Sequence, residues 1–141
     1  MNGFAHVSVW GVLIGALAAL VIGAVWYSGA LYGGAWQSIM GLSDSAMAKR
    51  ARSAFPLLIV VSLLTAYVLS LFIVYFHHYV GGSWVRDGFY VGLLSFVGLA
   101  GTTVVGHAAF DPRDRKLVLI NLGNRLVTLA ALGLIIGAFL K

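Results

Sequence analysis

The chain contains no cysteine and no glutamate, and only four of its 141 residues are acidic. Without cysteine there is no disulfide, no thiolate nucleophile and no thiolate metal site. Charge of either sign is scarce: charged residues make up 9% of the chain and hydrophobic residues 61%, with a mean hydropathy of +0.99. A soluble domain carries about 25% charged and about 45–50% apolar residues. So little polar surface cannot cover a globule of 15.0 kDa in water. A soluble enzyme, a secreted disulfide scaffold and a disordered tail are thereby excluded, which leaves an integral membrane protein.

The four acidic residues, Asp44, Asp87, Asp111 and Asp114, all sit among loop-type residues. No carboxylate is therefore expected deep in the membrane, which argues against a carboxylate-based proton antiporter. The net charge of +5 comes from nine Lys and Arg. On short connections these read as topology signals and contacts to anionic headgroups, not as a nucleic-acid surface.

A spanning helix needs about 20 mostly apolar residues. Four stretches qualify, approximately 7–30, 55–76, 88–110 and 117–140. Their apolar runs do not alternate, and open sheets cannot satisfy their backbone in lipid. The expected fold is all-α: a four-helix transmembrane bundle with short loops, one integral membrane domain over 1–141. The N-terminus lacks Lys and Arg and the first apolar stretch is long, so no cleaved signal peptide is expected. In the first connection, Ser43 is placed to cap a short helix, with Asp44 in its first turn and Lys49, Arg50 and Arg52 near its end. Pro56 then falls near the start of span two, where proline is tolerated. The stretch from Tyr32 to Trp36 reads as an interfacial turn.

Orientation follows from the basic residues. Lys49, Arg50, Arg52, Arg113, Arg115 and Lys116 share one side; Arg86 and Lys141 lie on the other. The sequence thus predicts a cell (inner) membrane protein with connections one and three in the cytoplasm and both termini outside.

Close packing at small residues has to hold such helices together. Candidate ridges are Gly11, Gly15, Ala19 and Gly23 in span one, and Ser62, Ala66 and Ser70 in span two. Span three offers Gly98, Thr102 and Gly106, and span four Gly133 and Gly137.

Arg125 is the residue that most demands an explanation. At 1.5 Å per residue its Cα lies about 12 Å inside the boundary at Leu117. A charge there costs at least about 2.5–3.5 kcal/mol on insertion scales. Asn121, Asn124, Arg125 and Thr128 follow helical spacing and form one polar stripe. Arg125 can snorkel to the headgroups, serve as a hydrogen-bonding strut, or hold an anion; the spacing leaves all three open. His107 and Tyr27 lie near the same level and complete a candidate ligand site with the stripe. His107 also reads as an interfacial residue beside Asp111.

His6, His77 and His78 gather on the other side, and three imidazoles can bind zinc or copper. Adjacent histidines on a helix point about 100° apart, however. No metal and no other cofactor is expected. No Ser–His–Asp order, phosphate loop or carboxylate pair is present to suggest an enzyme.

The stretch Gly23-Ala-Val-Trp-Tyr-Ser28, with Leu31-Tyr-Gly-Gly-Ala-Trp36, resembles the start of a family of small bacterial four-span membrane proteins catalogued as a domain of unknown function. The segment from Leu119 through Asn121, Asn124 and Arg125 to Ala131, and its tail from Gly133 to Gly137, is similar too. The family often places proline after Trp-Tyr-Ser; here Gly29 stands there, and glycine can also break a helix. The resemblance implies four helices in a bacterial membrane and no particular activity.

Two functions fit the residues. One is an oligomeric channel or carrier for a small anion or neutral solute, since four short helices hardly enclose a path alone. The other is a non-catalytic accessory or scaffold subunit of a larger membrane complex. The expected partners are the bilayer with its anionic headgroups, and either further copies of the chain or a membrane complex.

Overall fold

A computed structural model describes residues 6–111 and 114–140. Arg113, Met1 and Lys141, which enter the orientation argument above, lie outside the described residues. Five helices follow in order: α1 (Val9–Trp26), α2 (Gly33–Met40), α3 (Asp44–Val80), α4 (Trp84–Phe110) and α5 (Arg115–Phe139). All but α2 are long and apolar enough to cross a membrane. No strand occurs among the described residues. The all-α four-span bundle is thus the observed fold.

The helix ends follow from short polar side chains. Ser8 Oγ accepts from Gly11 N at 3.2 Å and opens α1. Ser43 Oγ accepts from Ala46 N at 3.3 Å and opens α3. Asp114 Oδ1 accepts from Lys116 N at 2.9 Å and opens α5. Each satisfies one of the orphan N–H groups of a first turn.

Two local expectations are corrected. The segment begun by Ser43 is not a separate short helix; it runs straight through Pro56 into span two, giving one helix of 37 residues. At 1.5 Å per residue that is about 55 Å, well beyond a hydrocarbon core of about 30 Å. Most of the excess is the basic stretch 44–54, about 16 Å long, so Pro56 withholds its N–H where the helix leaves the apolar layer and water can serve the freed carbonyl. Asp87, read as a loop residue, lies in the first turn of α4 with no exposed surface.

Packing runs on glycine, at positions only partly foreseen. A Cβ on Gly88 would strike the carbonyl of Gly133, and one on Gly133 would strike that of Gly88. Gly92 meets the Leu129 carbonyl in the same way. The first half of α4 and the distal half of α5 therefore touch backbone to backbone, the approach that small residues allow in lipid. A Cβ on Gly15 would lie 3.2 Å from the Ile136 side chain and 3.7 Å from that of Ala66, so this part of the span-one ridge faces the bundle. Gly23, Gly98 and Gly106 meet nothing within 4 Å. The ridge in span three is Gly88 and Gly92, one helical half earlier than the Gly98–Gly106 pattern suggests.

The buried core, with Ala66, Leu69, Ile73, Leu132 and Ile136 at its centre, lies between these contacts. Halfway along α4, residues Phe96–Ala100 form a π-helical segment. Beyond it, the Gly101–Phe110 half packs on α5 far less extensively than the Trp84–Ser95 half does. The bundle is tight at the α3–α4 turn and looser at the opposite end.

Candidate functional site

Polar side chains collect at both ends of the bundle. At the α3–α4 turn, Gly81 and Gly82 adopt positive φ and reverse the chain. Asp87 then points back beneath the turn. Its Oδ2 lies 2.7 Å from His77 Nδ1, and its Oδ1 accepts from Arg86 Nε at 3.1 Å and Nη2 at 3.0 Å. Arg86 Nη2 also donates to the Gly81 carbonyl at 2.8 Å. Trp84 stacks on the His77 ring with centroids 3.5 Å apart. A buried carboxylate needs such partners. The cluster clamps α3 to α4, and charge pairing is satisfied inside it. His78 turns away and places Nδ1 2.8 Å from the Val74 carbonyl. Among the described residues no group of three or more His, Cys, Asp or Glu could hold a metal ion.

At the opposite end the Trp-Tyr-Ser triplet closes α1 onto α5. Trp26 Nε1 donates to the Ile120 carbonyl at 3.0 Å, and its ring lies over Gly123, where a Cβ would come within 2.7 Å of it. Tyr27 Oη donates to Asn121 Oδ1 at 2.8 Å. Ser28 Oγ donates to the Val25 carbonyl at 2.7 Å. Tyr32 packs against Trp26, and Trp36 meets Tyr27 edge-on. The chain between them is not only a turn, because α2 begins at Gly33.

The polar stripe on α5 fans out around the helix. Asn121 faces Tyr27. Asn124 is buried, with its amide nitrogen unpartnered. Thr128 is half-buried. Arg125 is exposed to the surroundings of the bundle and lines an open groove of about 620 Å³ between α3, α4 and α5. His107 lines the same groove. The structure thus bonds Tyr27 to Asn121 and sets Arg125 and His107 on the lining of one groove.

The groove is mainly apolar, with Val68 and Phe72 on the α3 wall and Leu99 and Val104 on the α4 wall. Both of its threonine hydroxyls are occupied: Thr65 Oγ1 donates to the Val61 carbonyl at 2.8 Å, and Thr103 Oγ1 to the Leu99 carbonyl at 2.6 Å; Ser95 also lines it. Thr102 Oγ1 serves the Gly98 and Leu99 carbonyls at 3.1 and 3.0 Å. The Thr102 and Thr103 bonds go to carbonyls of the π-helical segment, where the regular ladder is interrupted. Both ion pairs among the described residues involve Asp87, at the far end. Arg125 therefore faces the groove without a carboxylate.

A family model described as "Protein of unknown function (DUF1761)" matches residues 10–137, nearly the whole chain, and the chain belongs to that family. No curated protein and no solved structure matches it.

Proposed function

We propose that this member of the DUF1761 family is a multipass protein of the bacterial inner membrane that binds an anion at Arg125 and acts as an oligomeric carrier. One observation supports this reading above others: a guanidinium within a spanning helix, with no ion-pair partner among the described residues, opens into a groove that His107 also lines. An unpaired charge at that depth costs at least about 2.5–3.5 kcal/mol. A bound anion offsets that cost and uses the planar fork of the arginine. Asn121 and Tyr27 fix the neighbouring turn of α5 to α1, so the guanidinium is presented from a held helix.

The basic stretch 44–54 and the start of α5, with Arg115 and Lys116, support an orientation with this end of the bundle in the cytoplasm and both termini outside. The α4–α5 seam is closed backbone to backbone. A path along an axis therefore requires several copies, and the bilayer with its anionic headgroups is the first partner. The reading is of a protein without enzymatic chemistry.

A second reading, an accessory subunit, draws on the broad apolar exposure of the spans, for example Leu94 and Val97. The two separate in one experiment. In neutral detergent, a short-chain alkyl phosphate should raise the melting midpoint of the wild type, since a ligand bound only by the folded state stabilises it. Arg125→Gln should abolish the rise and Arg125→Lys should keep part of it. An equal rise in Arg125→Gln would leave the accessory role as the better account.

A further inference from the structure

The groove has a polarity gradient along its length. It follows α4 from Ser95 to His107 and α3 from Leu64 to Phe72, about 18 Å and about 12 Å at 1.5 Å per residue. Its two basic side chains are Arg125, on the α5 wall, and His107, near the C-terminal end of α4. Leu129, one turn further along α5, and Phe72 close the other end. In a helix the Cα–Cβ bond tilts toward the N-terminus, so the Arg125 side chain leans toward the end that His107 occupies.

The groove also opens sideways. Val68 and Leu99 on its rims are 42% and 58% exposed, on the flank of a span that meets lipid. The Thr65 and Thr103 hydroxyls are already bonded to their own helices, which leaves Ser95 as the one lining hydroxyl without such a bond, and the remaining wall is mainly apolar. A small hydrated anion gains nothing from such walls. An amphiphile matches them throughout, with charge at one end and hydrocarbon along the rest. The volume of about 620 Å³ lies in the middle of the range of about 300–1,000 Å³ typical of ligand sites.

Resting on the anion-binding reading of Arg125, we infer that the occupant is an anionic phospholipid of the cytoplasmic leaflet, its phosphate on the guanidinium and one acyl chain along the groove. Arginine grips two phosphate oxygens at once, and His107 stands on the headgroup side. The lipid enters laterally from the bilayer and needs no aqueous path. The same groove is then the place where the carrier meets its cargo.

The test is lipid retention by the full chain in neutral detergent, read by native mass spectrometry after incubation with phosphatidylglycerol or with phosphatidylcholine. The wild type should hold one phosphatidylglycerol and release phosphatidylcholine. Arg125→Gln removes the head contact. Leu99→Trp fills the groove from an exposed rim position, so the bundle keeps its core. Each should weaken phosphatidylglycerol retention roughly tenfold, about 1.4 kcal/mol, while the lipid-free melting midpoint of Leu99→Trp stays at the wild-type value. If Arg125→Gln weakens retention, Leu99→Trp does not, and inorganic phosphate displaces the lipid, Arg125 binds a free anion; the acyl-chain claim then falls and the anion reading stands. If Arg125→Gln retains lipid as well as the wild type, both fall. Should Leu99→Trp melt lower, Val68→Trp fills the opposite wall, and unchanged retention in that variant overturns the acyl-chain claim.

Discussion

Trp26 donates its indole N–H to the carbonyl of Ile120 at 3.0 Å, across 94 residues of sequence. The next residue along each chain segment repeats the link, Tyr27 to Asn121 at 2.8 Å. The two stretches that resemble the family are therefore two halves of one joint between α1 and α5. A hydrogen bond of this kind contributes about 0.5–1.5 kcal/mol net. Trp26→Phe removes this bond together with the distal ring atoms that lie over Gly123, and should lower the stability in detergent by at least that amount. Gly123→Ala should cost more, because the new methyl meets the indole. In a Trp26→Leu background the same alanine should cost clearly less, and a thermal double-mutant cycle measures the difference. Additive losses would show that the indole does not lie over Gly123.

The seam between α4 and α5 makes a sharper contrast. Gly133→Ala places a Cβ against the Gly88 carbonyl, so the helices must part. Overpacking of this kind costs typically about 1–3 kcal/mol. Gly106→Ala has nothing within 4 Å to meet and gains about 0.8–1.0 kcal/mol of helix propensity instead. Melting midpoints in one detergent should move in opposite directions. A fall of equal size in both variants contradicts the seam.

Asp87 makes three side-chain hydrogen bonds at the α3–α4 turn and has no exposed surface. Asp87→Ala strands His77 and Arg86, and an unsatisfied buried group costs about 1–3 kcal/mol. The loss should appear as a lower melting midpoint and as faster amide exchange at 81–87. Arg86 is exposed, and Arg86→Gln should cost less than Asp87→Ala. A larger loss from Arg86→Gln would mean that arginine, not the carboxylate, is the hub.

Topology is testable because the chain carries no cysteine of its own. In intact cells, an impermeant thiol reagent should leave Lys49→Cys and Arg115→Cys unlabelled and should label Tyr79→Cys, whose side chain is 93% exposed near the α3–α4 turn. The reverse pattern inverts the orientation and moves the Arg125 groove to the outer leaflet.

What the sequence disclosed follows the range of the forces involved. Span number and approximate limits rest on composition over twenty residues, which tertiary contacts scarcely alter. The value of Arg125 as a marker was legible because one charge in an apolar run stands out whatever surrounds it. The fate of its neighbours was not. Asn121, Asn124 and Arg125 share a stripe by spacing, yet an amide facing Tyr27, an amide in the core and a guanidinium in a lateral groove differ by modest rotations about α5. Glycine spacing has the same weakness. Gly98 and Gly106 fit a small-residue pattern as well as Gly88 and Gly92 do, and only helix placement decides which pair is met. The clamp at Asp87 was hidden because a carboxylate beside Gly82 and Ser83 looks like a loop residue. Proximity to His77 and Trp84 was the available signal.

The most direct measurement is a crystal structure grown from a lipid mesophase, inspected at Arg125. The account predicts an oxyanion within about 3 Å of the guanidinium, inside the groove and beside His107. A guanidinium extended away from the groove into the headgroup layer, with no anion between it and His107, would contradict it and leave snorkelling as the reason that this arginine is tolerated.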